Sequence, residues 1–405
     1  MSTGSFTKRV VSLTDWLAPE FSAVSQYAVQ IAEEEAALGA DVLVVGISSL
    51  RASREERQVG KGRVRVTAFL RSHYNKDSWS RRLAWIFKTN GLLVARSWRQ
   101  MRDADEIRFT GSPPFLIYFL CATNLVLRKR LIYRITDFYP ECIIAALPRR
   151  SLALDLALRS TRWLRRRIDA FEVIGNDVKR RLAESGVSEG RVTLRRDASP
   201  VSISDTTLPL PRPGDGEDRK LLLYSGNFGV AHDVSTFRDG YKRHHRAGSG
   251  SVMLWLNATG SGAERLDADL RAAGVPFIRQ ALVPLEQLAN LLVTPDAHLV
   301  TLRDEFCGYV LPSKVYGCLA SGRDILFIGP TGSDVHELCA MRGIGSYDHV
   351  HVGDVAGVEA ALEKLGARPS TSGSSVAHCA SVSAVMPQHF AEPAEIKHFS
   401  DANRP

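Results

Sequence analysis

The sequence predicts an α/β protein of two doubly wound domains, and three observations carry that expectation. A chain of 405 residues exceeds what one hydrophobic core usually organises, so two domains of roughly 200 residues each are the natural division. Short β-branched runs alternate with helical patterns in both halves, as parallel strands joined by helical crossovers require. Between the halves, at residues 204–218, three prolines and two glycines interrupt every periodicity.

Taken in order, the first half opens with a strand at 9–13, a helix over 22–38 closed by Gly39, and strands at 41–47 and 63–69. Further strands follow at 106–109, 131–135, 170–174 and 192–194. Beyond the linker the pattern restarts with strands at 221–224, 251–256, 277–278, 297–301 and 324–327. Helices from 234 and over 263–273, 285–292, 313–320 and 334–341 separate or follow them. The domains are therefore 1–203 and 219–366, joined by 204–218. Residues 367–405 begin rich in Ser, Ala and Gly, and read as a flexible segment before a short terminal helix around 393–399.

Composition is that of ordinary globular material, 44% hydrophobic and 24% charged. The charge is uneven: residues 1–203 carry 34 Lys+Arg against 21 Asp+Glu, and residues 204–405 carry 18 against 23. A basic surface thus belongs to the first half. There Arg81, Arg82, Trp85, Phe87 and Lys88 mix cations with aromatics on a helical stretch, and residues 162–167 (RWLRRR) do so again. Such segments suit the headgroup region of an anionic membrane; the alternative is solvated helix faces over buried tryptophans. No nucleic-acid motif accompanies the charge. Six cysteines without metal-ligand spacing point to reduced thiols in a cytoplasmic protein. The N-terminus lacks a long apolar core, and the apolar run 115–127 is too short to span a bilayer. The expected location is peripheral, at the inner face of the membrane.

Two loops carry the chemistry. After the strand 221–224 come Ser225, Gly226, Asn227, Phe228 and Gly229. Glycines between a strand's carboxyl end and a helix let backbone N–H groups approach a phosphate. A plain turn needing positive φ is the competing reading. The second loop, residues 310–322, contains Pro312, Ser313 and Lys314 at the start of a helix that continues through Tyr316. Free N–H groups, the Ser313 hydroxyl and the Lys314 ammonium could converge there on one diphosphate, against the plainer reading of a helix cap beside a solvated lysine. Both loops lie beyond strand ends of one parallel sheet, where ligands bind in this architecture. Asp103 and Asp105 imitate a metal-binding pair but precede a strand, and so read as a solvated turn. Asp267 and Asp269 sit on a helix face, and His349 and His351 flank Val350 on an edge strand. No metal is expected.

Together the words YSGNFG (224–229), PSKVYGCLASGRDILF (312–327) and GSDVHELCAMRGIG (332–345) resemble glycosyltransferase family 4, in its branch that builds bacterial exopolysaccharides on lipid carriers. The first half agrees: Asp137, Phe138, Tyr139, Pro140 and Glu141 resemble the family's motif after a central strand, and Gly111-Ser112-Pro113-Pro114 its preceding loop. The resemblance implies the GT-B fold, two Rossmann-like domains facing a central cleft. It implies a nucleotide-diphospho-sugar donor, a lipid-linked or glycan acceptor, retention of anomeric configuration and no metal. Residue by residue it places Asp137 and Lys314 in catalysis, and Gly226, Asn227, Phe228, Gly229, Glu305, Pro312, Ser313 and Tyr316 around the donor. Ser112, Tyr139, Arg81, Arg82 and Trp85 fall on the acceptor and membrane side. Gly317 stands where the wider family often has a ribose-binding glutamate, so Ser313 and Lys314 carry more of donor recognition. A sugar-nucleotide 2-epimerase of the same fold, or a non-catalytic relative, are the other readings.

Overall fold

The structure, a computed structural model, describes residues 6–369 except 21, 73–78, 148, 150, 215–218 and 344. The expected terminal segment and helix beyond residue 369 lie outside the described residues. In the first domain the order is β1 (Lys8–Trp16), α1 (Ala23–Ala37), β2 (Ala40–Ser48), β3 (Ser53–Val59), β4 (Gly62–Leu70), α2 (Trp79–Asp103) and β5 (Glu106–Thr110). It continues with α3 (Leu116–Leu127), β6 (Arg130–Ile135), α4 (Glu141–Ala146), α5 (Leu152–Arg165), β7 (Ala170–Val173), α6 (Asn176–Glu184) and β8 (Val192–Leu194). The second domain runs β9 (Lys220–Asn227), α7 (Ser235–Arg246), β10 (Val252–Thr259), α8 (Ser261–Ala272), β11 (Ile278–Arg279) and α9 (Leu288–Val293). It closes with β12 (Ala297–Thr301), α10 (Lys314–Ala320), β13 (Asp324–Ile328), α11 (Asp334–Ala340), β14 (Tyr347–Val350) and α12 (Val355–Gly366).

The first sheet has the order β3-β4-β2-β1-β5-β6-β7-β8 and the second β11-β10-β9-β12-β13-β14. All pairings are parallel except β3 with β4. Covered on both faces, a strand such as β2 buries all nine residues and carries an apolar run at 42–47. The antiparallel β3 escaped the sequence reading because its residues (SREERQV) are charged and mostly exposed. That composition suits an edge strand, whose charges discourage pairing with another chain. Among the described residues no helix is long and apolar enough to cross a membrane.

The two domains share one continuous core. Phe109, Tyr133 and Phe138 of the first belong to the same buried cluster as Val300, Phe306 and Tyr316 of the second. The segment 332–337, part of the 332–345 stretch that resembles the family, also joins the domains. Arg196 makes two bonds to the fully buried Asp334, at 3.0 and 3.1 Å, and Asn176 bonds both Asp334 and Glu337.

Asp137 is held by its own motif. Arg165, fully buried, reaches both carboxylate oxygens of Glu141 at 2.6 and 2.8 Å, donates to the Tyr139 carbonyl at 2.7 Å, and lies 4.1 Å from the Phe138 ring. The 162–167 run is therefore not all surface. Glu141→Ala would leave that guanidinium buried without its counter-ion, and about 3–5 kcal/mol of stability should be lost. A lower urea midpoint at unchanged slope is the expected measurement; a midpoint within error of wild type would show the pair is dispensable.

Candidate active site

The carboxyl ends of the two parallel sheets meet across a cleft that divides into two chambers. One, of about 760 Å³, is walled by Ser225, Gly226, Pro312, Ser313, Lys314 and Gly317, with Gln26 and Tyr27 of α1 opposite. The other, of about 970 Å³, lies against α2, α3, α4 and α5 of the first domain. Asp137, Asn227, His232 and Val310 line both, so the chambers join at these residues.

Lys314 sits at the floor of the first chamber in an unusual state. Its ammonium lies 3.2 Å from the Tyr224 ring centroid, and Tyr224 stacks on Phe228 at 3.9 Å. The ammonium is buried and has no hydrogen-bond partner among the described residues. A cation over an aromatic face recovers some of the lost hydration, but burial still pushes its pKa down to about 7. The solvated-lysine reading is thus excluded. Ser313, at the start of α10, makes no capping bond among the described residues. The N–H groups of Val315 and Tyr316 already bond to the Pro312 and Ser313 carbonyls, so they are not the free donors expected from sequence.

Asn227 and Gly226 complete the near wall. Gly226 has φ of 98°, and a Cβ there would meet nothing within 4 Å, so its open side faces the chamber. Gly229 lines the second chamber, and Phe228 supports the site from behind, as a buried ring. Two further expectations are corrected. Glu305 is exposed, pairs with Arg303 at 3.3 Å, and lines neither chamber because a short 3₁₀ turn points it outward. Tyr316 is buried and donates to the Ile174 carbonyl at 3.3 Å, which makes it an interdomain contact. At Gly317 a Cβ would come within 3.0 Å of Leu292 Cδ1, so a glutamate could not enter without moving that leucine.

From the first domain, Asp137 faces both chambers, its pKa raised to about 6 by burial and by the neighbouring charge of Asp15. Asp15, at the end of β1, accepts from Ser22 Oγ at 2.5 Å and Ser112 Oγ at 2.8 Å. Burial raises its pKa as well. Sequence reading missed Asp15. Its position at the carboxyl end of β1, with Ser112 and Asp137 just beyond β5 and β6, was the available clue, since these three strands are neighbours. It also gave His232 no role. His232 Nδ1 lies 2.7 Å from the Thr301 carbonyl and donates to it, which leaves Nε2 as an acceptor toward the cleft. Burial, with Lys314 nearby, pushes its pKa down to about 3, so the ring stays neutral.

Of the residues expected on an acceptor side, Tyr139 and Arg82 line the second chamber, whereas Ser112 bonds Asp15 and the exposed Arg81 lines neither chamber. Trp85 is corrected: its ring stacks on Trp16 at 5.8 Å and its Nε1 donates to the Ser72 carbonyl, so it packs inward. The aspartates set aside as metal mimics are otherwise engaged. Asp103 pairs with Arg102, Asp105 accepts from the Arg9 amide, Asp267 pairs with Arg271 and Asp269 with Arg238. His349 bonds the Gly329 carbonyl on the edge strand β14.

No family model matches the sequence. A probable glycosyltransferase of Pseudomonas aeruginosa, WbjE, is 22% identical over 286 residues, covering 68% of this chain and 70% of that protein. Among solved structures, Anabaena HepE in complex with UDP and glucose superposes with a TM-score of 0.60 at 11% identity, over 88% of this chain and 89% of that one. The UDP-forming α,α-trehalose-phosphate synthase of Burkholderia vietnamiensis gives 0.58 at 11%, over 89% and 92%. The lipopolysaccharide outer core galactosyltransferase WaaB gives 0.52 at 12%, over 88% and 90%. With two facing Rossmann-like domains and a cleft at their strand ends, the chain has the GT-B fold of these structural neighbours.

Proposed function

We propose that the protein transfers a sugar from a nucleotide-diphospho-sugar to a lipid-linked or glycan acceptor, with retention and without a metal. The observation that carries this reading is the Lys314 ammonium, buried and unpartnered at the floor of a chamber between two domains. An unpaired buried cation is costly, and a diphosphate seated beside it would supply the missing counter-charge. Departure of that diphosphate from the anomeric carbon is helped by any charge stabilisation present before the reaction begins. Gly226, Asn227 and Ser313 would orient the phosphates. Asp137 would accept a hydrogen bond from the acceptor hydroxyl, whose proton passes to the departing phosphate, and neutral His232 would accept from a sugar hydroxyl.

The membrane side of the reading rests on α5. Leu152, Leu156 and Trp163 are exposed at helical spacing alongside Arg159 and Arg162, a face suited to an anionic bilayer at the cytoplasmic side. Nothing in either chamber favours an epimerase or a non-catalytic relative over transfer.

Calorimetric titration with nucleoside diphosphates, UDP first, followed by product analysis with and without acceptor, tests the proposal. Binding of at least one nucleotide and acceptor-dependent turnover are expected. No binding by any would overturn it, and conversion of the sugar nucleotide without acceptor would indicate an epimerase.

A further inference from the structure

The second chamber is too apolar to be a sugar site. Ile86, Phe115, Ile143, Leu147, Leu154 and Ala157, drawn from α2 to α5 and their connections, form its walls. Away from the end it shares with the first chamber, where Asp137, Asn227 and His232 lie, polar groups face elsewhere: the Tyr118 hydroxyl is shared among the Ala157 carbonyl, Ser160 and Thr161 at 2.6–3.0 Å, leaving its ring to the cavity. Cys142 Sγ donates to the Tyr309 carbonyl. Charged lining residues are Arg82 and Asp137, the latter at the end shared with the first chamber. A glycan would strand its hydroxyls against such walls, because each buried hydroxyl needs a partner.

We infer that this chamber binds the hydrocarbon chain of the acceptor, which is therefore an amphiphile whose reactive hydroxyl lies close to its chain. The inference rests on the reading of the adjoining chamber as the donor site. Three observations select a lipid over other apolar ligands. The cavity, at about 970 Å³, is larger than the donor chamber it continues. Two of its lining residues, Phe87 and Leu147, are half-exposed, so the chamber opens outward through apolar side chains. The helix that supplies Leu154 and Ala157 to the wall presents Leu152, Leu156 and Trp163 on its other face, among arginines. A chain could thus pass from a bilayer under α5 into the cavity while its head group reaches Asp137.

The test uses the whole protein and a series of hexyl, heptyl, octyl and nonyl β-glucosides held below micelle formation, titrated in the presence and absence of UDP. Affinity should strengthen by about fourfold per added methylene. Ala157→Trp and, as a second variant, Ala146→Trp fill the cavity and should flatten that dependence while leaving UDP affinity unchanged. Affinity independent of chain length in the wild type would overturn the inference. So would a dependence that survives in both folded tryptophan variants, since the chains would then bind elsewhere, and so would a preference for phenyl glucoside over hexyl glucoside. If the alkyl series behaves as expected but no nucleoside diphosphate binds, the donor reading fails and the hydrocarbon site stands.

Discussion

Lys314→Met is expected to lower kcat/KM by about 10²–10³-fold, the range seen when one preorganised donor to a developing negative charge is removed, while the protein unfolds at the same or a higher denaturant midpoint. The two halves of this result have one cause. The ammonium is buried over the face of Tyr224 with no hydrogen-bond partner among the described residues, so methionine relieves a desolvation cost. On the proposed reading, the same ammonium stands beside the leaving group once donor is bound. Near-normal turnover would remove the lysine from the reaction. The titration sharpens the test. With the free ammonium titrating at about 7, a diphosphate beside it favours the charged form and raises that value. Nucleotide affinity should therefore be full below pH 7 and weaken as pH rises above it, with about one proton taken up per nucleotide bound. Calorimetry in buffers of different ionisation enthalpy reads this uptake directly, and Lys314→Met should abolish it.

Asp137→Asn should cost about 10²-fold in turnover, the scale on which misplacing a reacting group by about 1 Å acts. The carboxylate must be ionised to accept the acceptor's hydrogen bond, and its pKa is about 6, so kcat/KM should rise through that pH. Lys314 must be charged, so the same parameter should fall above about 7. A narrow bell is the expected profile for the free enzyme, and the alkaline limb of kcat should move upward because bound donor holds the lysine proton. Asp15→Asn removes the charge that helps raise Asp137, and its acid limb should move to lower pH. The other groups about Asp137 are Tyr133, Cys142 and the Glu141–Arg165 pair from its own domain and His232 from the opposite one; His232 stays neutral throughout this range. An acid limb unmoved by Asp15→Asn would mean that Asp15 only braces Ser22 and Ser112.

Much of the fold was legible because buried parallel strands are apolar along most of their length, as residues 42–47 and 221–224 are. The exception, β3, is a charged edge strand and leaves no such trace. The two loops that wall the first chamber were legible too, through Gly226, Ser313 and Lys314, since turn chemistry is local. Lys314 resting on Tyr224 was not, because it depends on sheet pairing that unites positions ninety apart in the chain. Spacing by analogy misplaced Glu305, which a single 3₁₀ turn directs outward. Composition found a basic, aromatic first domain but chose Trp85, whose ring is packed on Trp16, over Leu152 and Leu156, which any pattern argument would send inward.

The backbone bridge between Asp137 and Val310, with the Phe138 amide donating to the Tyr309 carbonyl at 3.0 Å, bears on how this protein could be re-engineered. Were the proposed activity to be redirected, its donor preference would ordinarily be changed by exchanging the second domain for that of a known transferase. Here the exchanged domain must also deliver two main-chain atoms that hold the acceptor-side carboxylate. Any chain can supply such bonds whatever its side chains, but only if its loop has the same length between that point and the lysine four residues on. Chimeras that preserve this spacing should stay active with foreign donors, and those that add or delete a residue there should bind nucleotide yet fail to transfer.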